Sequence, residues 1–209
     1  MHLPDEEGAE TAPIWPAVGD LMACLFGLFV LFFVWTVALD TTLSHELATE
    51  RATRAVESAR REALERALAG PLGAGRITLV EGRIGIRGSV LFALSSAELR
   101  DEGALVLRDI AGPLRTYLQE RREILMVSGF TDDLALRGGA GSYRDNWELS
   151  AQRALTVTRA LEANGIPGAM LFAAGFGDNQ PTLPNTSAEN RAKNRRVEIA
   201  PVPWGAAVR

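Results

Sequence analysis

The sequence predicts an α/β sandwich carried behind a single membrane-spanning helix, and three observations predict it. Between Ile14 and Leu39 the only charged residue is Asp20, in a run longer than the roughly 20 apolar residues a bilayer requires. A Glu- and Arg-rich stretch follows, with opposite charges spaced four apart as helices favour. Beyond it, glycine-punctuated β-branched runs alternate with amphipathic segments, the pattern of one mixed sheet covered by two main helices. The chain therefore divides into a short tail at 1–13, a transmembrane helix at 14–39, a helical linker at 40–75, a folded domain at 76–202 and a tail at 203–209.

Composition removes several function classes. The single cysteine, Cys24, lies inside the apolar run, and the only histidines are His2 and His45, both outside the folded domain. Metal-ligand clusters, Cys/His catalysis and a hydrolytic nucleophile with its base are thereby nearly excluded, so neither an enzyme nor a bound metal or cofactor is expected. A net charge of -4 argues against nucleic acid as a partner.

In the apolar run, Asp20 sits one to two turns into the span, where an ionised carboxylate costs roughly 2 to 3.5 kcal/mol unless it faces protein or water. Ala23, Cys24, Gly27 and Leu31 follow on its helical face, and small faces let other helices approach closely. An aspartate buried against a partner and one that snorkels to the headgroups both fit this spacing. Acidic residues precede the run where a cleaved signal peptide carries basic ones, which favours a retained helix. In the linker, Glu50/Arg54, Glu57/Arg61 and Glu62/Arg66 are in the favourable order. Ala52, Val56, Ala59 and Ala63 form a thin seam, suited either to self-pairing or to a solvated spacer. Gly70, Pro71, Gly73 and Gly75 stop the helix.

The folded domain opens with a hairpin over Ile77 to Ile86 and a strand near Val90 to Ala93. A helix from about Ala97 to Glu120 leads to a buried strand, Glu123 to Phe130, then to an amphipathic helix, Asn146 to Asn164, ended by Gly165 and Pro167. "AMLFAAGFG" and "RRVEIAPV" read as the last two strands.

"GFTDD" at 129–133, "NWELSAQRA" at 146–154, "GFGDNQP" at 175–181 and "NRAKNRRVEI" at 190–199 resemble, in order and spacing, the signatures of the OmpA-like peptidoglycan-binding domain. The Asn-Trp-Glu-Leu-Ser form is closest to the MotB branch, and the apolar helix with Trp, then Asp, then Leu-Met resembles the MotB membrane segment. Phe130 stands where the family usually has His or Tyr, and the loop between Asp132 and Asn146 has the longer MotB-like form. The resemblance implies a ligand, the diaminopimelate of a peptidoglycan stem peptide, with its ammonium on Asp132 and its carboxylate on Arg153. Thr131, Asn146, Leu149 and Ser150 occupy motif positions beside them, and Arg195 or Arg196 borders the site. Taken singly, the same residues are a turn aspartate, an N-cap asparagine and a surface arginine.

For Asp20 the resemblance implies an ion carrier, with a proton as the ion, working with a MotA-like or ZorA-like multi-helix membrane subunit around a homodimer of this chain. The acidic start and "VLFALSSAEL" resemble ZorB, the corresponding subunit of the Zorya anti-phage defence system. A flagellar stator subunit and a passive Pal- or OmpA-type tether are the other readings. Arg51 and Arg54 downstream favour an N-terminus outside by the positive-inside rule, whereas peptidoglycan binding requires an inner-membrane protein with its C-terminal domain in the periplasm. The ligand decides that conflict here.

Overall fold

The computed structural model describes residues 15–121, 123–134 and 143–203, without the side chains of 16–17 and 41–47. The N-terminal tail, the glycine-rich loop at 135–142 and residues 204–209 lie outside the described residues. Two compact units form, Met1–Val56 and Glu57–Arg209, each taken here by itself.

Helix α1 (Trp15–Ala67) supplies the first unit and enters the second. Within the first unit, Val18–Asp40 is long and apolar enough to cross a membrane. Its large apolar side chains, among them Leu25, Phe29 and Leu31, are all exposed, as a lipid-facing or partner-facing helix requires. Glu50 and Arg54 form the expected i, i+4 pair at 3.3 Å. Arg66 instead donates to the Glu62 carbonyl.

In the second unit, residues assigned on sequence to the linker contribute to the core. Leu64 and Leu68 are buried, with Ala63 and Leu72 packed beside them, each leucine contributing about 1.5–3 kcal/mol by leaving water. Arg60 on the same helix pairs with the buried Glu123 at 2.8 Å and donates to the Pro201 carbonyl at 2.9 Å. Gly70, Pro71 and Gly73 do not simply end the helix but form a short second one, α2 (Ala69–Gly73), which Gly75 leaves with φ +67.

Strands β1 (Thr78–Val80) and β2 (Arg83–Arg87) make the expected hairpin. Its two-residue turn, Glu81 and Gly82, has φ of 51 and 74, the paired positive values that match the twist of a tight hairpin. The strand expected near Val90 to Ala93 is replaced by one helical turn, α3 (Gly88–Leu91). The cause is tertiary: the Gly88 N–H donates to the Arg195 carbonyl at 2.7 Å, and a Cβ at Gly88 would stand 2.7 Å from that oxygen. The chain turns there, and only a bridge between Phe92 and Leu99 remains extended. Helix α4 (Asp101–Arg121) begins later than Ala97 for the same reason, since Leu99 is in that bridge and the Arg100 N–H bonds the Leu91 carbonyl.

Strand β3 (Glu123–Gly129), helix α5 (Asn146–Ala163), a 3₁₀ turn (Gly168–Met170), β4 (Leu171–Gly175), helix α6 (Ala188–Asn194) and β5 (Arg196–Pro203) complete the unit. The sheet runs β1-β2-β5-β3-β4, parallel between β3 and β4 and antiparallel elsewhere. Register places Ile84, Ile86, Val197, Ile199, Leu125 and Val127 in the core together with Val106, Ile110, Leu114, Ala154, Val157 and Leu161 of α4 and α5. One sheet covered by two helices is thus the architecture, as expected.

Two glycines set how closely α5 lies on the sheet. A Cβ at Gly175 would meet Ala151 N at 2.7 Å, and one at Gly129 would fall on the Ser150 carbonyl oxygen. The first turns of α5 therefore rest directly on the ends of β3 and β4.

Gly129→Ala is expected to lower unfolding free energy by more than about 2 kcal/mol. Gly112→Ala, in α4 where nothing lies within 4 Å, is expected to add up to about 1 kcal/mol. Thermal midpoints of the two full-length variants check this, and equal midpoints would refute the close approach. Arg60→Ala, which strands the buried Glu123, is expected to cost about 2 kcal/mol by denaturant unfolding, and the Arg60→Ala/Glu123→Ala pair less than the sum of the single changes.

Candidate ligand-binding site

The parallel pair β3–β4 and the antiparallel strand β5 bring three chain segments to one edge of the sheet: the exit of β3, the loop after β4 and the start of β5. Backbone bonds lock that edge. Phe130 N–H donates to the Arg196 carbonyl at 3.0 Å, Thr131 N–H to the Gly177 carbonyl at 2.8 Å and Phe176 N–H to the Gly129 carbonyl at 3.0 Å. Gly177 has φ +58, and its N–H donates to Ser150 Oγ at 2.9 Å. Ser150, fully buried, donates its hydroxyl to the Trp147 carbonyl of its own helix, so it is as an acceptor that it joins α5 to this loop.

Asp145 rather than Asn146 caps α5, accepting the Glu148 N–H at 2.8 Å, while Glu148 reaches back to the Arg144 N–H at 2.6 Å. That reciprocal cap leaves the Asn146 amide for another task. It donates to the carbonyls of Asp132 at 3.1 Å and Leu134 at 3.3 Å, fixing the backbone that carries Asp132. The Asp132 side chain is 9% exposed, accepts the Leu134 N–H, and forms an ion pair with Arg195. Beside it the Thr131 hydroxyl is buried and has no hydrogen-bond partner among the described residues.

Arg153 is buried, not a surface arginine. Its Nε donates to the Ser96 carbonyl at 2.9 Å, and its guanidinium lies 5.3 Å over the Phe92 ring. Burial chiefly, and then the positive charge of Arg195, lower its pKa to about 10, against the opposing pull of Asp132 and Tyr143. At neutral pH it remains a cation. Among the described residues its two terminal nitrogens carry no hydrogen bond, so a planar fork of donors remains.

The structure therefore gathers Thr131, Asp132, Asn146, Ser150, Arg153 and Arg195 at one place, with Leu149 buried on the same turns of α5. Arg196 is engaged elsewhere. It pairs with Glu198 at 2.6 Å, donates to the Gln180 carbonyl, and lies 3.9 Å over Phe130, itself stacked on Phe176. Of the two neighbouring arginines, Arg195 is the one at Asp132. Asn194, fully buried, explains the placement: it accepts the N–H groups of Thr182 and Leu183 and donates to the Leu183 carbonyl and to Asn185 Oδ1. Sequence reasoning does not find Phe92 and Ser96, which hold Arg153, Ser96 from 57 residues away; an apolar run and a serine turn carry no signal of that role. Asp20 lies exposed on α1, with Ala23, Cys24, Gly27 and Leu31 exposed along the same face.

The gathered groups are one carboxylate paired with Arg195 and a second guanidinium, that of Arg153, near enough to feel both charges, a set suited to a ligand that presents an ammonium and a carboxylate together. Comparison with known proteins places the segment that holds this site in a family. The OmpA family profile matches residues 91–195, the segment that contains it. Motility protein B of Bacillus subtilis is 34% identical over 125 residues, covering 59% of this chain and 46% of that protein. Peptidoglycan-binding protein ArfA of Mycobacterium tuberculosis is 35% identical over 112 residues, covering 54% of this chain and 32% of that one. The chain thus spans less than half the length of these curated relatives. A MotB-like protein from Desulfovibrio vulgaris superposes with a TM-score of 0.60 at 35% identity, over 72% of this chain and 98% of that one. Its sequence signatures, its mixed sheet and these likenesses together show that the chain belongs to the OmpA family, on the side of that family where the MotB proteins stand.

Proposed function

We propose that this protein is a MotB-like stator and ion-channel subunit of the bacterial inner membrane. Its C-terminal domain grips peptidoglycan in the periplasm while Asp20, with a MotA-like or ZorA-like multi-helix subunit, carries protons whose flow does mechanical work. The observation that carries the reading is the Asp132, Arg153 and Arg195 cluster at the strand ends. Its charges complement the ammonium and carboxylate of a diaminopimelate side chain in a stem peptide, and ArfA, a relative over this region, is a peptidoglycan-binding protein. A single span cannot enclose a pore, so the ion path requires the partner subunit and a homodimer of this chain within it. A proton crossing the membrane supplies about 2.3 kcal/mol per 100 mV, and the wall anchor gives that energy something fixed to act against.

The absence of Lys and Arg from residues 1–19 supports a place in Zorya-type anti-phage defence over a flagellar motor. A passive tether is the competing reading, in which Asp20 only snorkels to the headgroups; ion carriage is favoured because it gives a carboxylate on a face of mostly small residues a role that anchoring does not require.

Asp132→Asn is expected to weaken pelleting of the full-length chain with purified sacculi about tenfold or more, the loss of one charge-assisted contact. Unchanged pelleting would remove the site. Asp20→Asn is expected to leave pelleting and partner assembly intact and to abolish proton flux in vesicles that hold both subunits. Flux at the level of the unaltered protein would leave only the tether.

A further inference from the structure

The cluster contains more positive charge than a site for an ammonium needs, and the excess has a defined location. Arg153 and Arg195 each contribute one positive charge and Asp132 one negative, and the two arginines are close enough for Arg195 to depress the Arg153 pKa. An ammonium brought to Asp132 meets Arg195 already there. The three side chains are not equally free. Asp132 is held by the Leu134 N–H at its carboxylate and by Asn146 at its carbonyl. Arg153 is buried and anchored at Nε by Ser96. Arg195 has its backbone fixed, its N–H bonded to the Arg191 carbonyl and its carbonyl to the Gly88 N–H. Its side chain, however, is 27% exposed against 9% for that of Asp132, and its hydrogen bond to the aspartate runs through a single terminal nitrogen. A long side chain held at its tip, at the rim, is the member of the cluster that can move.

We infer that Arg195 acts as an internal stand-in for the ligand's ammonium: it neutralises Asp132 until an ammonium replaces it, then moves onto the carboxylate of the same ligand beside Arg153. Asp132 keeps a cationic partner throughout the exchange, which limits the cost of uncovering its charge at a partly buried site. The exchange also makes recognition conditional on two groups. A lone ammonium displaces Arg195 and leaves two guanidiniums without an anion, whereas a ligand bearing both charges satisfies all three side chains. Arg195 is thus a specificity-determining residue for zwitterionic stem peptides. This rests on the peptidoglycan reading above and regulates the same site.

The test uses the full-length chain in detergent and purified disaccharide-peptides whose terminal diaminopimelate is free, amidated on its carboxylate, or acetylated on its free amine, with affinities measured by calorimetry. The unaltered protein is expected to bind the free form about tenfold more tightly than either modified form, as for one charge-assisted contact each. Arg195→Gln, in which Arg153 alone still meets the carboxylate, is expected to reduce the preference for the free over the amidated form to about threefold while keeping the full penalty for acetylation. Arg195→Lys, which retains the charge without the fork, is expected to show an intermediate preference for the free carboxylate and serves as the decisive variant if the Gln form does not fold. A full carboxylate preference in the folded Gln variant, or in the Lys variant where the Gln form does not fold, overturns the inference. An equal loss of all three ligands at an unchanged thermal midpoint also overturns it, because Arg195 would then only support Asp132. If the unaltered protein binds none of the three, or if Asp132→Asn binds them all unchanged, the peptidoglycan reading itself fails.

Discussion

The contact between the first turns of α5 and the ends of β3 and β4 governs the rest of the structure. It exists because Gly129 and Gly175 have no side chains: a Cβ on either would run into the backbone of Ser150 or Ala151. With α5 pressed onto the sheet, Ser150 reaches the Gly177 N–H, Gly177 receives Thr131, and Asn146 reaches the Asp132 carbonyl. Larger residues at the two glycines would lift the helix and loosen all three links. The site is therefore a product of packing before it is one of charge.

Once the backbone is placed, electrostatics follows from burial. Arg153 enters the interior only because the Ser96 carbonyl and the Phe92 ring replace part of its hydration. Asp132 pairs with Arg195, whose side chain, 27% exposed, forms the solvent-facing rim of the cluster. The single helical turn at Gly88–Leu91 belongs to the same construction. It positions Phe92 beneath Arg153, and its Gly88 N–H holds the Arg195 carbonyl. A segment with no motif of its own thus supports both arginines.

Much of this was legible in the sequence, and the gaps have physical reasons. The hairpin followed from alternation around Glu81-Gly82, and the long elements followed from their periods. The motif residues Thr131, Asp132, Asn146, Ser150 and Arg153 do converge. Val90 to Ala93 misled because a short apolar run has no period to separate strand from helix, and the decision lay with a carbonyl over a hundred residues away. The Asp132–Arg195 pair was hidden similarly: two adjacent arginines precede the last strand, and nothing local in the sequence distinguishes the one that meets Asp132 from the one that pairs with Glu198. Leu64 and Leu68 fall in the linker on sequence because a stretch rich in charged residues shows two buried leucines poorly.

The central claim is that the wall ligand seats at the strand ends, between fixed groups that the packing of α5 holds ready. A crystal structure of the chain with a bound diaminopimelate-containing disaccharide-peptide tests it most directly. The account predicts the ligand's ammonium on Asp132 and its carboxylate within hydrogen-bonding distance of the Arg153 fork, with the backbone of Thr131, Asn146 and Gly177 unmoved. A ligand seated on another face of the domain, or one that reaches Asp132 only after α5 has shifted on the sheet, would contradict it.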